Sequence, residues 1–336
     1  MPRPVNEKQK LLSLMKLLLE KTDDSHLLTV SQILGELEGL GFSSGRKSLY
    51  TDLEALRAFG LDIVSVRAAG TVGYFVAGRD FELPELKLLA DAVACSKFIT
   101  EKKSVELIRK IEGLASVYEA RQLQRQVYVP GRAKTGNEKI YYSVDAIHQA
   151  IASDRRIAFR YFEYTVEKEK RFRRDGEMYA VSPYALSWDN ANYYLIAYYE
   201  KHPRLSHFRV DKMEGVEVLE ESRHPLPDGK EFNPAEYAKK VFHMFGGEEE
   251  TIKLQFDNSL IGVVLDRFGA DVDIRKSDAE SFTVTVKALV SPPLLGWIFS
   301  FGNKVRILAP ESLKEQMKKS AAQCAAVYEK GRRPEE

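Results

Sequence analysis

The sequence predicts an α+β multidomain protein, and three observations predict it. The chain has 336 residues, more than one ordinary core organises. Helical periodicity dominates its first third. Period-two runs, then alternating strands and helices, fill the rest. Hydrophobic residues make up 44% and charged residues 29%, the balance of a folded, soluble chain. No apolar run reaches the roughly 18 residues of a membrane span. The start, Met1-Pro-Arg-Pro-Val-Asn-Glu-Lys, lacks the apolar segment of a secretory signal. A cytoplasmic protein with no membrane partner is expected. Cys95 and Cys324, far apart and each in a helical pattern, read as small core residues of a reducing compartment. A net charge of +1 carries no global nucleic-acid signal, so local arrangement has to supply one.

In the first eighty residues, Leu11, Met15 and Leu18 lie at i, i+4, i+7 and predict a core-facing helix. Thr29-Val-Ser-Gln32 is a capping box that opens a second helix, with Ile33, Leu37 and Leu40 as its apolar face. Gly41 to Ser44 form a turn in which Ser43 or Ser44 can cap a third helix, 45–59. That helix buries Leu49, Leu53 and Leu56 and presents Arg46, Lys47, Tyr50, Thr51 and Arg57 on the opposite face. Gly60 stops it. Ile63 to Arg67 and Val72 to Val76 then read as strands joined at Ala69-Gly70-Thr71. Three helices and a hairpin make a winged helix-turn-helix over residues 1–80, whose third helix enters the major groove of double-stranded DNA. The candidate DNA contacts are Ser44, Arg46, Lys47, Ser48, Tyr50, Arg57 and Arg67. The competing reading is a solvated face of a protein-interaction module, which Asp52 and Glu54 keep open. Gly41-Phe-Ser-Ser-Gly45 matches the G-x-S-x-G of serine hydrolases, but a helix precedes it where that motif needs a strand.

Residues 81–135 read as a helical linker, with helices over Phe81 to Thr100 and Ser104 to Gln124 and a polar, Gly-rich stretch from Pro130 to Glu138. Such a pair suits dimer contacts, so a homodimer on a two-half-site operator is expected. Residues 136–224 begin with a short helix capped at Ser143. Four or five strands follow: Ile157 to Tyr164, Met178 to Trp188, Asn192 to Tyr199, Leu205 to Asp211 and Gly215 to Leu219. They suggest a small Sm-like or SH3-like β-barrel.

Period two places Leu205, His207, Arg209 and Asp211 on one face. Unpaired buried charge is too costly to leave there. Either Arg209 and Asp211 pair on an exposed sheet, or Arg209 meets an anionic ligand with His207 and neighbouring tyrosines around it. Tyr161, Tyr184, Tyr193 and Tyr194 are suited to stacking on a nucleotide or single-stranded nucleic acid, and equally to filling a barrel core. The candidate effector residues are Tyr184, Tyr193, Tyr194, His207 and Arg209. The basic run Lys168 to Arg174 reads as a solvated loop or a phosphate contact. The six histidines are dispersed, so neither a metal nor another cofactor is expected.

These residues resemble the WYL-domain family of bacterial transcriptional regulators over nearly the whole chain. Tyr193-Tyr194-Leu195 stands where the family has Trp-Tyr-Leu, and Pro183 and Leu186 match its upstream positions. Phe208 to Met213 match its Phe-Arg-x-Asp-Arg-x segment, and Arg46-Lys-Ser-Leu-Tyr-Thr-Asp-Leu53 resembles its recognition-helix signature. Thr51 and Lys212 replace frequent arginines, Tyr193 a tryptophan, and Tyr179 stands where arginine is common. The resemblance implies a ligand-responsive regulator with nucleotide or nucleic-acid effectors. It makes 136–224 a WYL effector-sensing domain.

After a polar connector, 225–250, residues 251–332 run strand, helix, strand, strand, helix, strand, helix. The order βαββαβ suggests a ferredoxin-like α/β domain, resembling the C-terminal extension attached to WYL domains. No nucleophile, base and oxyanion site can be assembled, so no enzymatic activity is expected. A regulator acting on RNA or a protein complex, and a nucleotide-processing enzyme, remain the alternatives.

Overall fold

Helix-forming residues with one apolar stripe bury that stripe first, and the N-terminal elements follow this rule. The computed structural model describes residues 7–68, 70–123, 134–226, 229 and 231–330. It divides into two units, 1–138 and 139–336. Ala69, Gln124 and residues 130–133, on which parts of the expected turn, helix and linker fall, lie outside the described residues.

In the first unit, α1 (Glu7–Lys21), β1 (Leu28–Thr29), α2 (Val30–Gly39), α3 (Arg46–Phe59), β2 (Ile63–Ala68) and β3 (Thr71–Val76) enclose one core. Leu14, Leu17 and Leu18 are its buried α1 residues, and Leu11 and Met15 sit at its edge, so the stripe is rotated from the expected one. The Thr29–Gln32 capping box forms: Gln32 Oε1 accepts from the Thr29 N–H at 2.8 Å, and Thr29 Oγ1 from the Gln32 N–H at 3.4 Å. Leu40, expected in the core, is 58% exposed because α2 ends before it.

Helix α3 buries Leu49, Leu53 and Leu56, but its N-cap is Gly45, with no side-chain cap. The expected serine cap is therefore absent. Gly60 ends α3 with φ 115°, a left-handed conformation that glycine adopts without steric cost. β2 and β3 pair antiparallel from Ile63↔Val76 to Ala68↔Thr71, and β1 joins the outer side of β3. A Cβ at Gly73 would lie 2.8 Å from Leu27 Cβ, so that position needs glycine.

The next three helices are α4 (Leu83–Cys95), α5 (Glu101–Glu112) and α6 (Val117–Leu123), where two long ones were expected. A second capping box explains the break. Ser116 Oγ accepts from the Glu119 N–H at 3.1 Å, and Glu119 Oε2 accepts from the Ser116 N–H at 3.2 Å, directly after Gly113.

The second unit starts with α7 (Ile140–Ala152). Ser143 is buried inside this helix and does not cap it, since Ile140 and Ile147 extend the apolar stripe upstream. Strands β4 (Arg155–Tyr164), β5 (Lys170–Phe172), β6 (Tyr179–Asp189), β7 (Asn192–Tyr199), β8 (His202–Arg209) and β9 (Met213–Ser222) form one sheet, ordered β5-β4-β6-β7-β8 with β9 also on β4. Because β9 returns to β4, the sheet curls into a half-barrel. Part of the basic run becomes β5: Phe172 pairs with Phe162, and Lys170 Nζ lies 4.4 Å from the Phe162 ring centre.

The short helix α8 (Pro234–Lys240) follows. Next come β10 (Glu248–Asp257), α9 (Ile261–Phe268), β11 (Ile274–Lys276), β12 (Ser281–Val290), α10 (Pro292–Phe299), β13 (Val305–Ala309) and α11 (Glu311–Lys330). The four strands pair antiparallel in the order β11-β12-β10-β13. Ile252, Leu254, Phe256, Val264, Val284 and Leu294 centre its core.

A buried lysine ties two helices of the first unit together. Lys10 of α1, 5% exposed at its side chain, pairs with Asp52 of α3 at 2.8 Å and donates to Ser48 Oγ at 2.8 Å. Lys10→Met strands Asp52 without its cation and should lower the unfolding free energy by roughly 3 kcal/mol. Lys10→Met with Asp52→Leu should recover to within about 1 kcal/mol of the parent. Urea titrations of the two variants measure both.

Candidate functional site

Two groups of side chains stand out, one in each unit. On α3 the helical period brings Arg46, Lys47 and Tyr50 to one exposed face, and Tyr50 is 48% exposed. Neither Arg46 nor Lys47 has an ion-pair partner among the described residues. The acidic residues that argued against a basic face are both engaged elsewhere. Asp52 turns inward to Lys10, and Glu54 accepts from Arg57 Nη1 at 2.5 Å. Arg67 is exposed on β2.

Three expected contacts are drawn away from that face. Ser48 faces Lys10. Arg57 donates from Nε to the Ile63 carbonyl at 2.9 Å, bolting the end of α3 to β2. Ser44 Oγ is shielded from solvent and has no hydrogen-bond partner among the described residues. Thr51 Oγ1 donates to the Lys47 carbonyl at 3.2 Å, so it folds back on its own helix.

In the second unit, antiparallel register sets which effector candidates meet. Tyr194 pairs with Arg209 and Ile196 with His207, so Tyr194, His207 and Arg209 share a face of the sheet. Tyr193 belongs to the opposite face, edge-on to Trp188 with ring centres 4.6 Å apart. Tyr184 is the extra residue of a bulge in β6; its hydroxyl donates to the His224 carbonyl, and Arg223 lies 4.8 Å over its ring.

Asp211 does not extend the strand. β8 ends at Arg209, and residues Val210–Lys212 make a 3-10 turn that folds Asp211 back. Arg209 then donates from Nε and Nη2 to the two Asp211 oxygens at 3.0 and 2.7 Å, and from Nη2 to Asn192 Oδ1 at 3.1 Å. Its backbone N–H donates to the Tyr161 hydroxyl at 3.1 Å. The hydrogen bond with Asp211 raises the Arg209 pKa, and burial raises that of Tyr194 while Arg209 opposes the rise.

His207 is held differently. Its Nε2 lies 2.9 Å from the Tyr237 hydroxyl of α8, and burial lowers its pKa from 6.5 to about 4. Phe232 lies between Tyr184 and Tyr237 with its ring tilted to both, at ring-centre distances of 5.6 and 5.3 Å. The connector, expected to be a polar spacer, thus supplies two aromatic residues to this face. Phe232 and Tyr237 were missed because a short helix with a wide polar face, and the segment before it, resemble a linker.

The basic run, expected as a solvated loop or a phosphate contact, lies against the tyrosines of the half-barrel. Arg174 reaches the Tyr199 hydroxyl and lies 5.2 Å over the Tyr179 ring, and Arg173 lies 5.6 Å over Tyr161. Burial, then Arg209, lowers the pKa of Lys212 nearby. Arg173, Arg209 and Lys212 therefore form a cationic group, balanced by Asp211 and Glu163. Among the described residues no cluster of three or more His, Cys, Asp or Glu could hold a metal ion.

Comparison with known families matches residues 143–218 to the WYL domain and residues 248–325 to the WCX domain. The chain carries both domains. A search of curated proteins finds no match. Among solved structures, the Proteasome accessory factor B/C (PafBC) of Arthrobacter aurescens is similar at 18% identity and a TM-score of 0.29, over 93% of this chain and 47% of that one. The chain thus spans about half the length of that structure. Among the described residues no helix is long and apolar enough to cross a membrane.

The His207 environment makes a pH prediction. Below pH 6.5 the unfolded chain takes up a proton that folded His207 refuses until about pH 4. Stability is therefore lost as pH falls through that window, by roughly 3 kcal/mol in full. Urea midpoints between pH 7 and 4 should fall for the parent and fall less for His207→Gln.

Proposed function

We propose that the chain is a ligand-responsive, DNA-binding transcriptional regulator that works as a cytoplasmic homodimer. Residues 1–80 act as a winged helix-turn-helix on an operator, 81–135 as a helical linker, 136–224 as the effector-sensing domain, and 251–332 as a ferredoxin-like extension reached through 225–250. The observation that carries this reading is the outer face of α3. Arg46, Lys47 and Tyr50 are exposed there, while both acidic residues of the helix are paired with other groups. A helix presenting uncompensated cations at its first turn suits phosphates and base edges in a major groove. The WYL and WCX domains attached to it support regulation rather than catalysis.

For the effector, the cationic group of Arg173, Arg209 and Lys212 beside tyrosine rings supports a nucleotide-like or single-stranded nucleic-acid ligand. Stacking surfaces and anion-pairing groups then lie side by side. A shift between DNA-competent and DNA-incompetent populations follows from any difference in ligand affinity between the two.

Mobility-shift titrations on DNA from upstream of the gene test the reader. Specific binding should weaken steeply with salt. Arg46→Ala and Lys47→Ala should each cost about 1–3 kcal/mol of binding, and a lost phosphate contact should lower the salt slope by about 1. Arg57→Ala should instead lower thermal stability, in keeping with its bond to Ile63. Binding that is insensitive to both sequence and salt would overturn the DNA-reader assignment.

A further inference from the structure

Residues 232–244 cover the same face that the effector candidates share. Asn233 caps α8 by accepting from the Ala235 and Glu236 N–H groups at 3.1 Å, and Pro234 follows at the first helical position. The helix is only two turns long and buries none of its residues completely. Even so, the Tyr237 ring sits between Phe232 and His207, at 5.3 and 5.7 Å, with its hydroxyl on His207 Nε2. Further along, Val241 and Met244 pack with Tyr194 and with Leu289 of β12. Tyr184, Tyr194 and His207 are all overlaid by this strip.

The strip is attached unequally on its two sides. Toward the half-barrel it offers tilted ring contacts, the Tyr237–His207 hydrogen bond and, at its far end, His243 Nδ1 at 3.2 Å from Asn190 Nδ2 and 3.8 Å from Asp189. Toward the C-terminal sheet it is bolted by charge. Lys240 pairs with Glu249 at 3.1 Å, Lys239 with Asp271 at 3.1 Å, and Arg267 donates to the Val241 carbonyl at 2.6 Å. At its far end His243 and Met244 hold φ of 50° and 56°, left-handed values that residues with side chains keep only where the surroundings enforce them. Within α8 the charged pairs all lie on the C-terminal side, so this helix separates more easily from the half-barrel than from Glu249 and Asp271.

We propose that residues 232–244 are a built-in occupant of the effector face, and that the Tyr237 phenol fills the place taken by a planar, hydrogen-bonding ring of the ligand, a nucleobase by class. This inference rests on the effector-face reading above. A ligand that stacks on Tyr184 and meets His207 has to lift α8 from the half-barrel. Because α8 stays tied to Glu249 and Asp271, the displacement passes directly to the C-terminal sheet. Occupancy of one domain thereby moves the other without contact between ligand and β10–β13.

Two measurements on the full chain test this. Without any ligand, hydrogen exchange of 232–244 should be about tenfold faster than that of β7, and Tyr237→Ala should raise it further while β6–β8 keep their protection. With a fluorescein-labelled single-stranded oligodeoxynucleotide as probe, Tyr237→Ala should bind about fivefold tighter than the parent, because the occluded fraction is removed. Tyr237→Phe, which keeps the ring and loses the hydroxyl, should fall between them and guards against a variant that merely unfolds. Exchange of the strip only together with β7 overturns the proposal, and so does unchanged or weaker probe binding by a folded Tyr237→Ala. If no form binds the probe while the strip still opens independently, the built-in occupant stands and the nucleotide-like effector class falls.

Discussion

Strand β7 is buried on both of its faces, and much of the second unit follows from that constraint. Leu195, Ile196 and Ala197 are consecutive and at most 1% exposed. A strand with one wet face would alternate; this one has to be covered twice. Its Leu195 face meets Phe208, which packs edge-on to Phe159 and Tyr161 inside the curl. The Ile196 face carries Tyr194 and His207, and no strand of the half-barrel folds back over it. The connector and Leu289 of β12 cover it instead. Each buried aliphatic or aromatic side chain there contributes about 1.5–3 kcal/mol that exposure would forfeit. The half-barrel and the C-terminal sheet are thus bound together by a shared need for apolar cover.

The charged side chains obey a similar economy. Several charged groups near the core are neutralised by a local partner: Arg209 by Asp211, Lys10 by Asp52, Arg174 by Glu177 at 2.6 Å. Desolvating an ion without a partner costs several kcal/mol, so these pairs are obligatory rather than decorative. What distinguishes the α3 face is the reverse condition. Arg46 and Lys47 are exposed and have no ion-pair partner among the described residues, which leaves their charge available to an external anion.

The sequence made some of this legible and hid the rest for identifiable reasons. Local signals were reliable where they acted locally: the Thr29–Gln32 box starts α2, Gly60 ends α3, and the apolar spacing of Leu49, Leu53 and Leu56 fixes its inner face. The Ser116–Glu119 box carries the same signal as Thr29–Gln32, yet it was overridden by an apolar repeat that runs through Gly113. In β8, period two placed His207 and Arg209 correctly on one face, but it could not show that the chain turns at Val210 and carries Asp211 back. The connector was hardest to read. Tyr237 and Phe232 acquire their meaning only from His207 and Tyr184, which lie 30 or more residues away. Lys170 to Phe172 is a strand because Phe162 pairs with Phe172, again a tertiary fact.

The first unit contains a comparable tie between its α1–β3 core and the helices that follow it. Asp23, 4% exposed, accepts from Ser116 Oγ at 2.5 Å on one oxygen and meets His26 Nδ1 at 2.7 Å on the other. His26 in turn lies flat on Tyr118, with ring centres 3.7 Å apart and planes 4° from parallel. Burial works against the Asp23 carboxylate, yet the bonds from Ser116 and His26 outweigh it and leave its pKa lowered. Moving α6 away would leave that carboxylate buried without its hydroxyl, a loss that costs more than forming the bond gains. The segment after α1 and the start of α6 are therefore compelled to move together. Arg79 reinforces the junction by donating to the Leu19 and Thr22 carbonyls at the end of α1. Since Lys10 fixes α3 to α1, the orientation of the exposed α3 face is carried through buried polar contacts as far as α6. An event that shifts α6 cannot leave α3 where it was without breaking one of them.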